Sequence, residues 1–367
     1  MDRNFYQSLA NRSIAGEIFS PQECQEILTS SEIELLPLLN AAYEVRRNFC
    51  GKEVMIHIIN NAQNGYCPED CHYCVQAKTS KADIEEYPLK SDEEILAEAK
   101  HAYQTGAFRY CMVFAGRGPS ERRTEKLAEL IQKIKSQYPI EVCVSAGLLN
   151  EEKAKILKSA GLDRLNHNLN TSQEHYPHIC TTHTYQDRLA TLQAAKGAGL
   201  EMCSGMIVGM GEESKDVVEV ARTLREMNVI SIPVNFLMSI DGTQLTERKL
   251  DKELNPEYCL RVLCVYRFLN PKAELRVAAG REIHLRSMEV LALYPANSLF
   301  LQGYLNTRGA SNAKTLQMIK DAGFTIKSEQ NLDEILSKEK KNSHCDEHSC
   351  QSIKDRQDLR PYSCSPQ

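Results

Sequence analysis

Residues 140–169 read IEVCVSAGLLNEEKAKILKSAGLDRLNHNL. The first eight are short, apolar and rich in β-branched side chains, the pattern of a buried strand. Residues 150–160 carry helical patterning and run into AGL at 160–162, a glycine stop, after which DRLNHNL at 163–169 reads as the next strand. A strand, a covering helix and another strand make a βα unit, and a succession of such units builds a parallel sheet.

The same unit repeats on both sides. Strand candidates are VMIHII (54–59), YCMVFA (110–115), IEVCVSAG, DRLNHNL, EMCSGMIVG (201–209), SIPVNFLM (231–238), LRVAAG (275–280) and NSLFLQG (297–303), eight in all. Helical segments fall at 91–105, 120–137, 150–160, 185–198, 214–227, 256–269, 282–292 and 310–322. Eight units in one chain of this length predict an α/β fold, a (β/α)8 TIM-type barrel over residues 51–327. A doubly wound open sheet has the same alternation, so periodicity alone leaves it open. Residues 1–50 read as a helical N-terminal extension, with Ser20-Pro21 opening one helix and EIELLPLLNAAYEVRRNF (32–49) forming another. Residues 328–367 are so polar that a flexible tail is expected, carrying a Cys/His tract at His344, Cys345, His348, Cys350 and Cys364 whose spacing matches no standard zinc site.

The chain has 367 residues, 44 basic against 49 acidic, a net charge of −5 without a long basic block, which disfavours a nucleic-acid surface. No apolar run is long enough to span a membrane and the first residues lack a signal-peptide core, so a cytoplasmic protein acting on small molecules is expected. In that compartment the 14 cysteines point to metal or redox use rather than to disulfides. Cys24, Cys50, Cys180, Cys259 and Cys264 carry no spacing signal and read as core or surface thiols.

Spacing does speak in NGYCPEDCHYC, residues 64–74, where Cys67, Cys71 and Cys74 come without a fourth cysteine. Structural zinc needs four ligands, and His72, wedged between Cys71 and Tyr73, makes a cramped fourth. Three thiolates on three irons of a 4Fe-4S cluster leave the fourth iron open to a substrate, the logic that separates catalytic from structural metal sites. Three more cysteines, Cys111, Cys143 and Cys203, lie one per strand at separations of 32 and 60 residues, one and two βα steps round a barrel. Inward side chains from different strands meet in a barrel interior, and Arg276, flanked by Leu275 and Val277, is a charge there that needs a partner. Together they are a candidate second iron-sulfur site.

C-x3-C-x2-C with an aromatic before the last cysteine, placed after the first strand, resembles the radical S-adenosylmethionine superfamily. With NHNLNTS (166–172), TYQDRL (184–189), CSGMIVGMGE (203–212), IPVNFL (232–237) and RVAAGRE (276–282) in order, residues 45 to 325 resemble the biotin synthase family within it. That resemblance implies a homodimer that converts dethiobiotin to biotin with S-adenosyl-L-methionine. It implies a 4Fe-4S cluster on Cys67, Cys71 and Cys74, and a 2Fe-2S cluster on Cys111, Cys143, Cys203 and Arg276 as the source of sulfur. It also implies that Asn168 and Asn170 bridge the ribose hydroxyls and the ureido ring, and that Arg188 pairs with the methionine carboxylate. Many relatives carry aspartate at the place of Asn170, so here an amide takes that contact. Tyr73 joins the cofactor-binding set, and Asn235 is expected on the ureido group. GMIVGMGE (205–212) does not follow G-x-G-x-x-G; Gly209 and Gly211 are expected to let backbone lie against adenine. A flavodoxin or ferredoxin as electron donor and the iron-sulfur assembly machinery complete the expected partners.

Two other readings make distinct demands. Another radical enzyme on this scaffold, a methylase, mutase or cofactor-maturation factor, calls for the cysteine triplet without the strand cysteines and Arg276. An iron-sulfur electron carrier or sensor calls for four ligands per cluster and no polar residues at the barrel mouth.

Overall fold

The computed structural model describes residues 1–248, 254–307 and 309–346, with side chains as far as 339. Its strands are β1 (Glu53–Gln63), β2 (Arg109–Phe114), β3 (Glu141–Ser145), β4 (Arg164–Asn166), β5 (Glu201–Cys203), β6 (Met206–Val208), β7 (Ser231–Phe236), β8 (Glu274–Val277), β9 (Ser298–Leu301) and β10 (Thr325–Ile326). Every ladder among them is parallel, and β9 returns to β1 through Met55↔Ser298 to Ile58↔Leu301, closing the ring. Closure settles the alternative left open by periodicity: the sheet is a barrel, not an open doubly wound sheet.

One expected strand is two. EMCSGMIVG breaks at Ser204–Gly205 into β5 and β6, which both pair with β7. A Cβ on Gly205 would stand 1.8 Å from the Pro233 carbonyl oxygen, so the backbones approach there as only glycine permits. The Ser204 N–H bonds the Ser231 carbonyl and the Gly205 carbonyl accepts from the Asn170 N–H, both at 3.0 Å, so the break stays hydrogen-bonded.

Helices cover the ring. The segment Glu121–Gln137 buries Leu127, Leu130, Ile131 and Ile134 on one stripe, and Ser91 opens Asp92–Gln104 with a reciprocal capping box to Glu94. Pro256–Leu269 is apolar on nearly all sides and buried on nearly all sides, because the N-terminal helices lie over it. Ser13 Oγ donates to the Phe268 carbonyl at 2.8 Å and Arg261 Nη1 to the Ile27 carbonyl at 2.8 Å, pinning that extension down.

The expectation of a flexible segment beginning at 328 needs correction for its first part. Leu332–Asp346 is a helix, and Leu332, Ile335 and Leu336, at one-turn spacing, are buried. Ile335 packs so closely on Gly106 that a Cβ there would lie 2.4 Å from its Cδ1. β10 pairs beside the start of β1, Glu53↔Thr325 and Val54↔Ile326. Three well-spaced apolar residues suffice to dock a polar helix. The Cys/His tract at His344, Cys345, His348, Cys350 and Cys364 lies outside the residues whose side chains are described.

Candidate active site

The loop that follows β1 carries the first thiol group. The Glu69 and Gly116 N–H groups point at the Cys67 sulfur, and those of Gln76 and Ala77 at the Cys74 sulfur. Such amides stabilise a thiolate or a cluster ligand that burial otherwise disfavours. His72 turns away: its Nδ1 lies 2.8 Å from the His178 carbonyl, and its N–H bonds the Ile179 carbonyl. It is therefore committed to the chain after β4.

The second group is assembled by register. Cys111 on β2 pairs with Cys143 on β3, Cys203 on β5 pairs with Ser231 on β7, and Pro233 on β7 pairs with Arg276 on β8. These side chains face the barrel interior with Phe300, whose ring lies 5.0 Å from the Arg276 guanidinium carbon. Arg276 Nη1 is 3.8 Å from Cys203 Sγ, and its Nε is buried with no partner among the described residues. Hydrogen bonding with Cys143, helped by His57 at Cys111 and by the Arg276 charge at Cys203, holds these two thiols well below the ordinary thiol range. Cys143, the shared partner, is pushed above it. An interior with three sulfur donors and a cation that lacks a full set of acceptors suits an electron-rich iron-sulfur cluster.

Beneath this layer lies another that the sequence reading missed. Two residues before each candidate ligand stands a charge: Arg109 before Cys111, Glu141 before Cys143, Glu201 before Cys203 and Glu274 before Arg276. A strand's period of two places both on the interior side, one layer apart. Glu274 is the hub. It accepts from Arg276 Nη2, from Arg109 Nη1 at 2.9 Å and from Arg164 Nη1 at 2.7 Å, and His57 Nε2 lies 2.8 Å from it. Burial opposes its charge, but Arg109, Arg276 and His57 hold its carboxyl well below the usual range. The repeated pattern charge-x-ligand, RYC, EVC, EMC and ELR, was the signal that could have revealed this floor.

Polar groups gather at the carboxyl end of the strands. Asn170 occupies left-handed backbone (φ 69°), which asparagine tolerates, and its amide donates to the Tyr73 hydroxyl. Asn168 Oδ1 accepts from the Gly205 N–H at 3.1 Å, leaving its NH2 turned to other uses. Arg188 is buried in the first turn of Tyr185–Gly197, donating through Nη1 to the Asn168 carbonyl at 2.7 Å, through Nη2 to His183 Nε2 at 2.9 Å, and through Nε to the Tyr176 hydroxyl. Asn235 donates to the Met206 carbonyl at 3.0 Å and accepts from the Ala279 N–H at 3.2 Å, which leaves one N–H and one lone pair.

One cavity of about 300 Å³ joins these parts. Cys67, Cys71 and Cys74 line it, as do Cys111, Cys143 and Arg276, together with Tyr73, Asn168, Asn170, Arg188 and Asn235. Cys203 is not among its lining residues and lies against Arg276. Gly209 and Gly211 are not on its wall; Ile207 is. The glycine turn wraps instead round Glu212, whose carboxylate accepts from the Gly209 and Met210 N–H groups at 2.7 Å each. Cys180 is no bystander either: its sulfur lies 3.9 Å from Cys71 Sγ, a neighbour 109 positions away in the chain that no local spacing could announce.

Comparisons with known proteins give the chain its relatives. Residues 64–224 match the Radical SAM superfamily, and residues 233–325 match the Biotin and Thiamin Synthesis associated domain. Biotin synthase from Magnetococcus marinus is 56% identical over 318 residues, 87% of this chain and 98% of that protein. Biotin synthase from Acaryochloris marina is 54% identical over 324 residues, 88% and 93% of the two chains. Among solved structures, methylornithine synthase superposes with a TM-score of 0.75 at 20% identity, covering 86% of this chain and 96% of that one. The FeFe-hydrogenase maturase from Carboxydothermus hydrogenoformans follows at 0.73 and 18%, covering 88% and 79%. These structures bear on the fold alone.

Proposed function

The chain belongs to the biotin synthase family, and from that premise we propose that it converts dethiobiotin to biotin, replacing two unactivated C–H bonds by C–S bonds. The observation that carries this reading is the single cavity faced by both thiol groups.

Membership in the Radical SAM superfamily brings a four-iron cluster and S-adenosylmethionine. Cys67, Cys71 and Cys74 hold the 4Fe-4S cluster and leave one iron for the methionine end of the cosubstrate. Cys111, Cys143, Cys203 and Arg276 hold the 2Fe-2S cluster. When bound, these groups supply radical hydrogen abstraction and the sulfur to be inserted, which side chains of ordinary pKa cannot.

The protein's own contribution is placement. Arg188, charged and fixed by three partners, offers a guanidinium to the methionine carboxylate. Burial works against its charge, yet Tyr73, Tyr176 and Cys71 keep its pKa raised. Asn168 and Asn170 span the ribose hydroxyls and the ureido ring, Tyr73 orients Asn170, and the spare N–H and lone pair of Asn235 face the ureido group. Ile207, Pro233, Phe236 and Phe300 line the same cavity and limit the water within it. Glu274, pairing Arg276 from below, directs Nη1 toward the cysteines.

The enzyme works in the cytoplasm as a homodimer, takes electrons from a flavodoxin or ferredoxin, and depends on the iron-sulfur assembly machinery. Among the described residues no helix is long and apolar enough to cross a membrane. An anaerobic single-turnover assay with dethiobiotin, S-adenosylmethionine and reductant tests the reading: biotin and 5'-deoxyadenosine are expected. Cys143→Ala is expected to retain loop-site iron and form no biotin; full product from that variant would refute the sulfur-donor assignment.

A further inference from the structure

Cys71, Cys180 and His183 are all buried, and their donor atoms lie within 4.8 Å of one another. Cys71 Sγ is 3.9 Å from Cys180 Sγ, which is 3.3 Å from His183 Nδ1 and 3.9 Å from Nε2. A tetrahedral ion with metal–sulfur bonds of about 2.3 Å and metal–nitrogen bonds of about 2.0 Å has sulfur–sulfur edges of about 3.8 Å and sulfur–nitrogen edges of about 3.5 Å. A four-iron cluster binds its cysteines at separate corners, one per iron. Cys180 crowds the corner of Cys71, so the pair suits one ion and not two corners of a cluster.

From this geometry we infer a mononuclear site for a soft divalent cation, zinc or ferrous iron, formed by Cys71, Cys180 and His183 in the cluster-free chain. It shares Cys71 with the loop cluster assigned under the proposed function, and so excludes it.

The surroundings are built for a ligand histidine. His183 Nδ1 lies 2.6 Å from Glu69 Oε2, while Nε2 faces Arg188 Nη2 at 2.9 Å. Arginine can only donate, so Nε2 accepts and the proton sits on Nδ1 toward Glu69. That is the carboxylate–histidine arrangement that orients an imidazole for a metal, with the ion taking the place of the Arg188 N–H. Glu69 is itself fixed by Thr182 Oγ1 at 2.5 Å and Arg117 Nη1 at 3.1 Å. Cys180 is held in place by Asp70, whose Oδ1 accepts from its sulfur at 3.4 Å and from the Thr181 N–H at 2.9 Å. Any proton still on either sulfur passes to solvent as the cation binds.

Cobalt(II) added to the full-length, iron-free chain under anaerobic conditions tests the site, because tetrahedral sulfur ligation gives intense visible and charge-transfer bands. One equivalent is expected to bind. Cys180→Ala and His183→Ala should each weaken binding by at least about tenfold, and a Cys67→Ala/Cys74→Ala double variant should bind as the wild type does. Cys180→Ser serves as a second variant if the alanine form fails to fold, and should show the same loss. Cobalt bound equally by Cys180→Ala and lost in the double variant would overturn the inference. Pre-bound zinc should slow 4Fe-4S reconstitution in the wild type and not in Cys180→Ala. Cys180→Ala should still assemble the loop cluster; failure to do so would make Cys180 a cluster ligand and overturn the inference, while the biotin-forming reading is judged separately by the single-turnover assay of the wild type.

Discussion

Cys67, Cys71 and Cys74 fall within one short loop, Cys67 and Cys74 served by amide N–H groups of that loop and its neighbour, whereas Cys111, Cys143, Cys203 and Arg276 come from four strands and meet only because the barrel closes. The first site is a property of local chain, the second a property of the fold. A local site can be lost while the protein stays folded. The interior site, resting on buried charges that must be matched, cannot be altered from below without unsettling the whole barrel.

The largest expected effect tests that dependence. Glu274→Leu leaves Arg109, Arg164 and Arg276 without their common anion, and removing one partner of a buried charge network costs about 3–5 kcal/mol, read from urea unfolding of the iron-free protein. Cys67→Ala, in the loop, should shift the same measurement by less than about 0.5 kcal/mol; equal shifts would erase the distinction. Acid acts on the same anion. Its folded pKa is depressed well below the ordinary glutamate value, so its stabilising contribution is intact above that ordinary value and is lost as pH falls through the folded one. The melting midpoint should therefore hold from neutrality to about pH 5 as far as Glu274 is concerned.

Next comes the break in the barrel wall. Gly205→Ala drives a methyl into the Pro233 carbonyl, for a cost of about 1–3 kcal/mol, and should lower interior-site iron while loop-site iron is kept. Arg188→Lys sharpens the contrast from the other side: losing a planar fork should weaken S-adenosylmethionine binding by roughly tenfold or more, with a loss of stability smaller than that of Glu274→Leu and both iron absorbances retained. The smallest effect is a control outside both regions. Ser91→Ala removes a helix cap worth about 1 kcal/mol and should leave the iron content of both sites as it was.

What could be read in the sequence follows the same division. The loop ligands stood out because their spacing is local, and the eight-fold alternation held because each strand and helix announces itself within ten or so residues. The interior cysteines were legible only once a barrel was assumed. Glu274 and Arg109 were not, since a lone charge at the start of a strand looks like a turn residue, and only the fourfold recurrence two positions before a candidate ligand distinguishes it; Arg164 and His57 stand outside even that recurrence. Gly205 hid the division of β5 from β6 because the clash that demands glycine comes from Pro233, a residue on the next strand. Contacts over long separations, such as Cys71 with Cys180, leave no trace in local pattern at all.

Because the wall is sealed by β9 meeting β1, residues 298–301 must leave the ribosome before the cylinder can shut. Until then Cys111, Cys143 and Cys203 lie on an unfinished sheet, open from the side to any carrier of iron or sulfide. Afterwards the cavity that reaches Cys111 and Cys143 is lined by the loop thiols as well. Under the proposed function, an interior loaded after closure would be stocked before the loop position is filled.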